Sequence, residues 1–281
     1  IYNPIIVLIQ DSDINSNSGD AIRVVQSDTA ANGSVIQFEM FRNTITVNDT
    51  LDPTGVSPFD NNPIFDDGVV FTWNGPTWAK FENNRFDMTA AEQQQAISFR
   101  NSSTTDQTLL SLQANVFDVN NVTLNVGAVD LRADGPSIMN SNEFQISGND
   151  FTLDDGAGIN VGARPIGLRF TLASNAGVSL LNNDIVFQAD GGTGVLFSRV
   201  AASSNFVING NRIGFADLGT AQERGIIFSQ VTGIVNLFGT VDNQIVVLQN
   251  ALPGNATVEV PFAMPAGSNN GQIIVNGNLV P

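Results

Sequence analysis

Side chains able to do chemistry are scarce in this sequence. It contains no His and no Cys, which removes His-based general base catalysis, Ser-His-Asp and Cys-His arrangements, thiol nucleophiles, disulfides and the usual zinc ligands. Carboxylates, amides, hydroxyls and arginine remain. Asp130 and Asp155 are candidate partners for glycoside hydrolysis, whose inverting form needs two carboxyls roughly 6.5 to 9.5 Å apart, a spacing that neighbouring turns of a fold can supply. The run Asp11-Ser12-Asp13-Ile14-Asn15-Ser16-Asn17-Ser18-Gly19-Asp20 spaces oxygens like a Ca²⁺ loop. It lacks the Gly at the sixth place and the bidentate Glu at the twelfth, and reads better as a corner and loop than as a metal site. Both Trp residues fall in Phe71-Thr72-Trp73-Asn74-Gly75-Pro76-Thr77-Trp78. An outward Trp78 beside polar residues can stack on a sugar ring, or simply seal the base of a neighbouring loop. That loop is the excursion from Asp49 to Pro63, which carries Asp60, with Asp66 and Asp67 just beyond it. Long loops on rigid scaffolds often bind ligands, so Trp78, Asp60, Asp66 and Asp67 form the candidate binding set, with an inert insertion as the alternative. No catalytic, metal or cofactor site is expected.

Charge narrows the partners. Lys and Arg total 11 against 27 Asp and Glu, a net charge of −16 over 281 residues. No basic stripe is present for a nucleic-acid backbone, and an acidic surface disfavours anionic lipid. No apolar run reaches the roughly 18 residues of a spanning helix, so no membrane insertion of this segment is expected. The opening Ile1-Tyr2-Asn3-Pro4-Ile5-Ile6-Val7 lacks a basic n-region and does not read as a signal peptide. A chain opening on Ile is expected to be a processed or excised segment, which fits an exported, extracellular or cell-surface protein.

What must position these residues is a repeat. The sequence holds 34 Asn, and many fall at the centre of the pattern apolar-x-apolar-x-x-Asn-x-apolar-x-apolar. Copies centre on Asn43, Asn84, Asn115, Asn149, Asn183, Asn211 and Asn243, with Ser12 in the Asn place of the first. Thirty of thirty-two apolar slots match, the exceptions being Ser16 and Thr240. The steps are 31, 41, 31, 34, 34, 28 and 32 residues, as expected of one fixed corner and loops of variable length. Alternation with period two on both sides of the Asn is strand chemistry. A further short strand precedes each corner from the second copy on, usually after Gly, as in Gly68-Val69-Val70-Phe71, Gly167-Leu168-Arg169-Phe170, Gly194-Val195-Leu196-Phe197 and Gly225-Ile226-Ile227-Phe228. Three strands per repeat with apolar residues on one side predict an all-β, parallel β-helix of about eight coils over residues 1–248. Residues 249–281 are expected to form a C-terminal β cap, on strands near Thr257–Phe262 and Gln272–Asn276 and on part of a ninth coil.

Asn is expected at the corner for two reasons. It tolerates the left-handed backbone region at lower cost than other non-Gly residues, and its amide can bond to backbone or to the next Asn in a stack.

On these repeats, and on coils such as Gly225-Ile226-Ile227-Phe228-Ser229-Gln230-Val231-Thr232-Gly233-Ile234-Val235-Asn236-Leu237 followed by Asn243-Gln244-Ile245-Val246-Val247, the chain resembles bacterial right-handed parallel β-helix proteins of the pectate-lyase-like superfamily. It looks most like their repeat-containing surface proteins and autotransporter passengers. The resemblance covers about residues 5 to 248 and implies an Asn ladder. For lyase action it implies a Ca²⁺-binding Asp cluster with an Arg base. Arg164-Pro165 and Asp154-Asp155 are faintly similar to that arrangement, without the surrounding motif, and the His of the polygalacturonase-type motif is missing.

Two functions are therefore weighed. One is a non-enzymatic structural or adhesive β-helix: a stalk, surface fibre or adhesin passenger that associates with itself, end to end or laterally, with a longer precursor, or with a glycan or host surface. The other is a polysaccharide-active enzyme on the same fold, with a neutral glycan favoured because an acidic groove repels polyuronates. An enzyme should gather carboxylates from adjacent coils into one cleft, whereas a stalk should scatter them. Ice binding is disfavoured, since no outward Thr array repeats from coil to coil. The first coil begins within a few residues of Ile5, which predicts that its open end is covered by upstream chain or by a neighbouring subunit.

Overall fold

Alternating side chains leave each strand with one apolar edge, and a strand of four to eight residues cannot bury that edge alone. The computed structural model, which describes residues 4–17, 19–26, 34–48, 66–89, 94–120, 127–134, 142–154, 165–190, 192–201, 203–217, 223–238, 243–250, 260–263, 272–275 and 278–280, solves this by winding the chain into a parallel β-solenoid. Three sheets run its length. The first takes the strand before each corner, Ile5–Gln10, Ile36–Phe41, Thr77–Glu82, Thr108–Gln113, Asn142–Ser147, Ala176–Leu181, Ser204–Asn209 and Ile234–Phe238. The second takes the strand after it, from Asp13–Ser16 through Gln244–Asn250, and has eight strands. The third, also of eight, runs from Ile22–Val25 to Val260–Ala263.

Register is kept from coil to coil by the repeat. Val7 pairs with Phe38, Phe38 with Ala79, Ala79 with Leu110, Leu110 with Phe144, and so on up the first sheet. Every apolar template position of the second to seventh copies is at most 4% exposed. Like side chains stack on like. Phe86, Phe117 and Phe151 form one column with centroids 4.9 and 4.6 Å apart, and Phe170, Phe197 and Phe228 form another at 4.9 and 4.4 Å. In the first copy Val7, Ile9 and Ile14 are only partly buried.

The Gly residues that open third-sheet strands permit close approach. A Cβ on Gly68 would lie 2.6 Å from the Ala96 carbonyl oxygen, and one on Gly194 would lie 2.6 Å from the Ile213 side chain. At its C-terminal end the chain continues the stack. Val260–Ala263 pairs parallel with the Glu223–Phe228 strand, and Gln272–Val275 with Ile234–Phe238. Asn278–Val280 then folds back antiparallel on Gln272–Val275.

The corner between the first and second sheets corrects one expectation. The left-handed residue is the one before the ladder Asn, not the Asn itself: Asp11, Arg42, Asn83, Ala114 and Asn182 have φ between 51 and 56°, with Gly148 at 61° and Gly210 at 66°. The Asn is therefore selected by its amide alone. Its Oδ1 accepts from both the backbone N–H and the Nδ2 of the preceding coil's Asn, and its own Nδ2 donates to a carbonyl of that coil and to the next Oδ1. For Asn115 these are Asn84 N and Nδ2 at 3.0 Å each, Phe81 O at 2.9 Å and Asn149 Oδ1 at 3.0 Å. The same pattern runs from Asn43 to Asn243. Four bonds use all the donors and acceptors of a side-chain amide, which is what a fully buried Asn requires.

Candidate functional site

Each coil exposes three outward faces, and the candidate residues distribute over them by strand parity. On the first sheet the inward series contains Ala79 and Phe81, so Trp78 and Lys80 point out. Trp78 is 52% exposed, whereas Trp73 is 6% exposed and donates its Nε1–H to the Ser34 carbonyl at 2.9 Å. In register with Trp78 lie Gln37 on one coil and Leu109 on the next, followed by Glu143. The adjacent outward row reads Glu39, Lys80, Ser111, Gln145. Together these two rows floor a shallow open depression of about 260 Å³. Gln37 donates to the Glu39 carboxylate, and Lys80 pairs with Glu82 while lying 5.0 Å over the Phe41 ring. Ser111 Oγ is buried at the floor with no partner among the described residues.

Carboxylates on the second sheet are stacked and bridged on its outer face. Asp87 and Asp118 are in register on adjacent coils, with Arg85 2.7 Å from the first and 3.7 Å from the second. Asp150 and Asp184 form the next such pair, and Arg212 Nη1 lies 2.8 Å from both oxygens of Asp184. Beside the ladder, Asp11 and Arg42 make a two-pronged pair at 2.7 and 2.8 Å, which holds the Asp11 carboxyl below its usual range and raises the guanidinium.

The third sheet carries Asp130. Burial pushes its carboxyl above the usual range, against the lowering influence of Arg169 and Arg132. Arg169 is 3.9 Å away, too far to compensate, and Asp130 Oδ1 has no hydrogen-bond partner among the described residues. Asp134 meanwhile takes Arg132 at 2.9 Å and Arg100 at 3.5 Å. Asp155, the residue weighed as a partner for Asp130, lies outside the described residues, as do Arg164, Asp60 and the Asp49–Pro63 loop. Asp66 opens the strand Asp66–Trp73, and Asp67 is 6% exposed, its backbone N–H bound by Asp20 Oδ1 at 3.2 Å. Asp67 is thus buried at the strand start, on a different sheet from Trp78.

The Asp11–Asp20 run is a corner followed by the strand Asp13–Ser16, with Ser16 Oγ donating to the Gly19 carbonyl and Asp20 paired with Arg23. Among the described residues no group of three or more acidic side chains is placed to hold a metal ion.

A second buried polar column escaped sequence reading. It lies where the third sheet turns into the first. Asn101 Nδ2 reaches the Gly75 carbonyl and the hydroxyls of Thr77 and Thr108 at 2.9 to 3.1 Å. Asn142 Oδ1 accepts from Thr108 N–H, Asn142 Nδ2 donates to Ser174 Oγ, and Ala176 N–H donates to Ser204 Oγ. Its residue types change from coil to coil, so no single letter repeats. The buried position was legible only as the residue two before each inward apolar pair.

Comparison with protein-family models, curated proteins and solved structures finds no match.

Proposed function

We infer that this chain is a non-enzymatic structural and adhesive β-helix, of the surface-fibre or passenger kind found among exported bacterial proteins of the pectate-lyase-like superfamily. The observation that carries this reading is the unbroken Asn ladder from Asn43 to Asn243, flanked by ring columns and cross-coil ion pairs. Such continuity couples each coil to its neighbours and makes a stiff rod of fixed rise, about 4.8 Å per coil. The paired carboxylates of the second sheet stand on an outer sheet face, with Arg85 and Arg212 beside them, which suits a solvated acidic surface better than a water-excluding catalytic centre.

The test joins shape to activity. Small-angle scattering should give a rod whose length follows the coil number, and incubation with a panel of neutral and acidic polysaccharides should release no new reducing ends or unsaturated products. Product release that disappears in Asp130→Asn would favour the second reading, a polysaccharide-active enzyme. Asp130 supports that alternative because burial raises its carboxyl above the usual range beside an arginine, the direction of shift that general acid work calls for.

A further inference from the structure

We propose that the first-sheet depression around Trp78 is a binding site for a glycan of neutral or amine-bearing sugars, lying along the solenoid axis across four coils. The proposal deepens the adhesive reading above and rests on it only in treating the face as one that holds a ligand without cleaving it. Sugar binding needs an apolar surface for the C–H face of a pyranose and polar groups around it for the hydroxyls. Trp78, 52% exposed, and Leu109, its in-register neighbour on the next coil, provide the apolar strip. Gln37 and Glu39 flank it on the coil before, and Glu143 and Gln145 on the coil after. These are amide and carboxylate groups, the side chains that can meet a pair of vicinal hydroxyls.

Ser111 supplies an independent sign. Its hydroxyl sits at the floor of the depression, buried and without a partner among the described residues, although buried hydroxyls are normally bonded. Because its oxygen is closed to solvent, a sugar hydroxyl would satisfy it once the side chains over it move aside on binding. Strand spacing sets the scale: Gln37 and Glu143 are three coils apart, about 14 Å, room for a short oligosaccharide rather than a single ring.

Charge selects the class. Glu39 and Glu143 border the strip, and the one cation lining it among the described residues, Lys80, already pairs with Glu82. The balance is negative, on a chain of net charge −16. A uronate or sulfated glycan would be repelled, while a neutral sugar is tolerated. A free amine would be attracted to the carboxylates and to the face of the Trp ring.

The experiment is a glycan array on the full chain, followed by calorimetric titration with the best neutral or amino oligosaccharide and with a galacturonate oligomer of equal length. Binding of a neutral or amino glycan that weakens at least about tenfold in Trp78→Ala, weakens in Ser111→Ala, and survives within a few-fold in Trp78→Phe is the expected result. Because Trp78 is half exposed, Trp78→Ala should melt with the parent, so lost binding reads on the site and not on the fold. Preference for the uronate, indifference to Trp78→Ala, or no bound neutral or amino glycan on the array each overturns the site while leaving the scaffold reading standing. Binding accompanied by chain cleavage would keep the site and overturn the scaffold reading.

Discussion

At the scale of single residues, the corner separates two jobs that one residue type could have done. Asn115 does the bonding and Ala114 does the bending. Replacing Asn115 by Leu strands Asn84 N–H, one Asn84 Nδ2 hydrogen and the Phe81 carbonyl in a place where Asn115 itself is 0% exposed, and leaves Asn149 Oδ1 with only the backbone N–H of position 115. Each unsatisfied buried group costs about 1–3 kcal/mol, and several together should cost about 3–5 kcal/mol in denaturant unfolding. Asn43 is a milder site, since the Ser12 rung offers its Oδ1 only a backbone N–H. Asn43→Leu should cost less than Asn115→Leu, and equal losses would refute the rung-by-rung account. At position 114 the sign reverses. Ala with φ of 52° carries a left-handed penalty of about 1–2 kcal/mol, which Gly avoids at the expense of greater freedom in the unfolded chain. Ala114→Gly should therefore stabilise by about 0.5–1 kcal/mol, read as a higher urea midpoint at unchanged slope.

Asp130 gives the residue scale its pH dependence. Its folded carboxyl titrates above the unfolded value because burial disfavours the charge. Above the folded pKa the ionised group weakens the fold. As pH falls through that value toward about 3.9, the native state takes up its proton more readily and the penalty fades. Asp130→Asn should raise the melting temperature at pH 7, with the advantage shrinking as pH approaches 4. An advantage that stays constant across that range would show that something other than ionisation is at work.

Among elements, the ring columns show how a strand is held by the one beneath it. Phe117 sits between Phe86 and Phe151, stacked on both at interplanar angles of 17 and 18°, and is fully buried. Phe117→Ala removes a ring from the middle of a column whose neighbours are pinned by their own strands, so collapse is limited. A loss of about 3–5 kcal/mol is expected, against a much smaller effect for Phe117→Leu. Hydrogen exchange should report the damage locally: amides of Arg85–Met88 and Asp150–Leu153 should lose protection before those of Arg212–Asp217. The same element view explains what the sequence could disclose. Period-two alternation and the repeated Asn are single-letter signals, so strands, inward rows and the outward setting of Trp78 were readable in advance. The bend was not, because Asp11, Arg42, Asn83, Ala114, Gly148, Asn182 and Gly210 share a backbone angle and no chemistry. The Thr-Asn-Ser column was hidden for the same reason. The setting of Arg85 between Asp87 and Asp118 and the grouping of Glu39, Trp78, Ser111 and Glu143 depend on how loops of unequal length bring coils into register. The template fixed that register only at the corner.

For the whole molecule, a stack in which each coil touches only its neighbours should tolerate a change in coil number but not a change in phase. Deleting residues 116–149 joins Asn115 directly to Asp150. The ladder then runs Asn84, Asn115, Asn183, and the strand Asp150–Leu153 keeps its phase, with Phe151 falling on Phe86 and Leu153 on Met88, the partners that Phe117 and Val119 now have. On the third sheet Ile166–Leu172 comes to lie on Gln94–Asn101, matching Phe170 to Phe99 as Leu131 now matches both. The chief loss is the pair of bonds through Asn142, which leaves Thr108 N–H to find another acceptor. The shortened chain should fold, melt cooperatively a few degrees below the parent and scatter as a rod about 4.8 Å shorter. Deleting 117–149 instead leaves Val116 as one extra residue between the corner and Asp150. Because side chains alternate, that residue must either be expelled as a bulge or turn Phe151 and Leu153 outward. The second deletion should therefore be far less stable than the first, although it removes one residue fewer. Comparable melting of the two would mean that the corner does not set the phase of the strand after it, and that the ladder is a consequence of the coil and not what holds it in register.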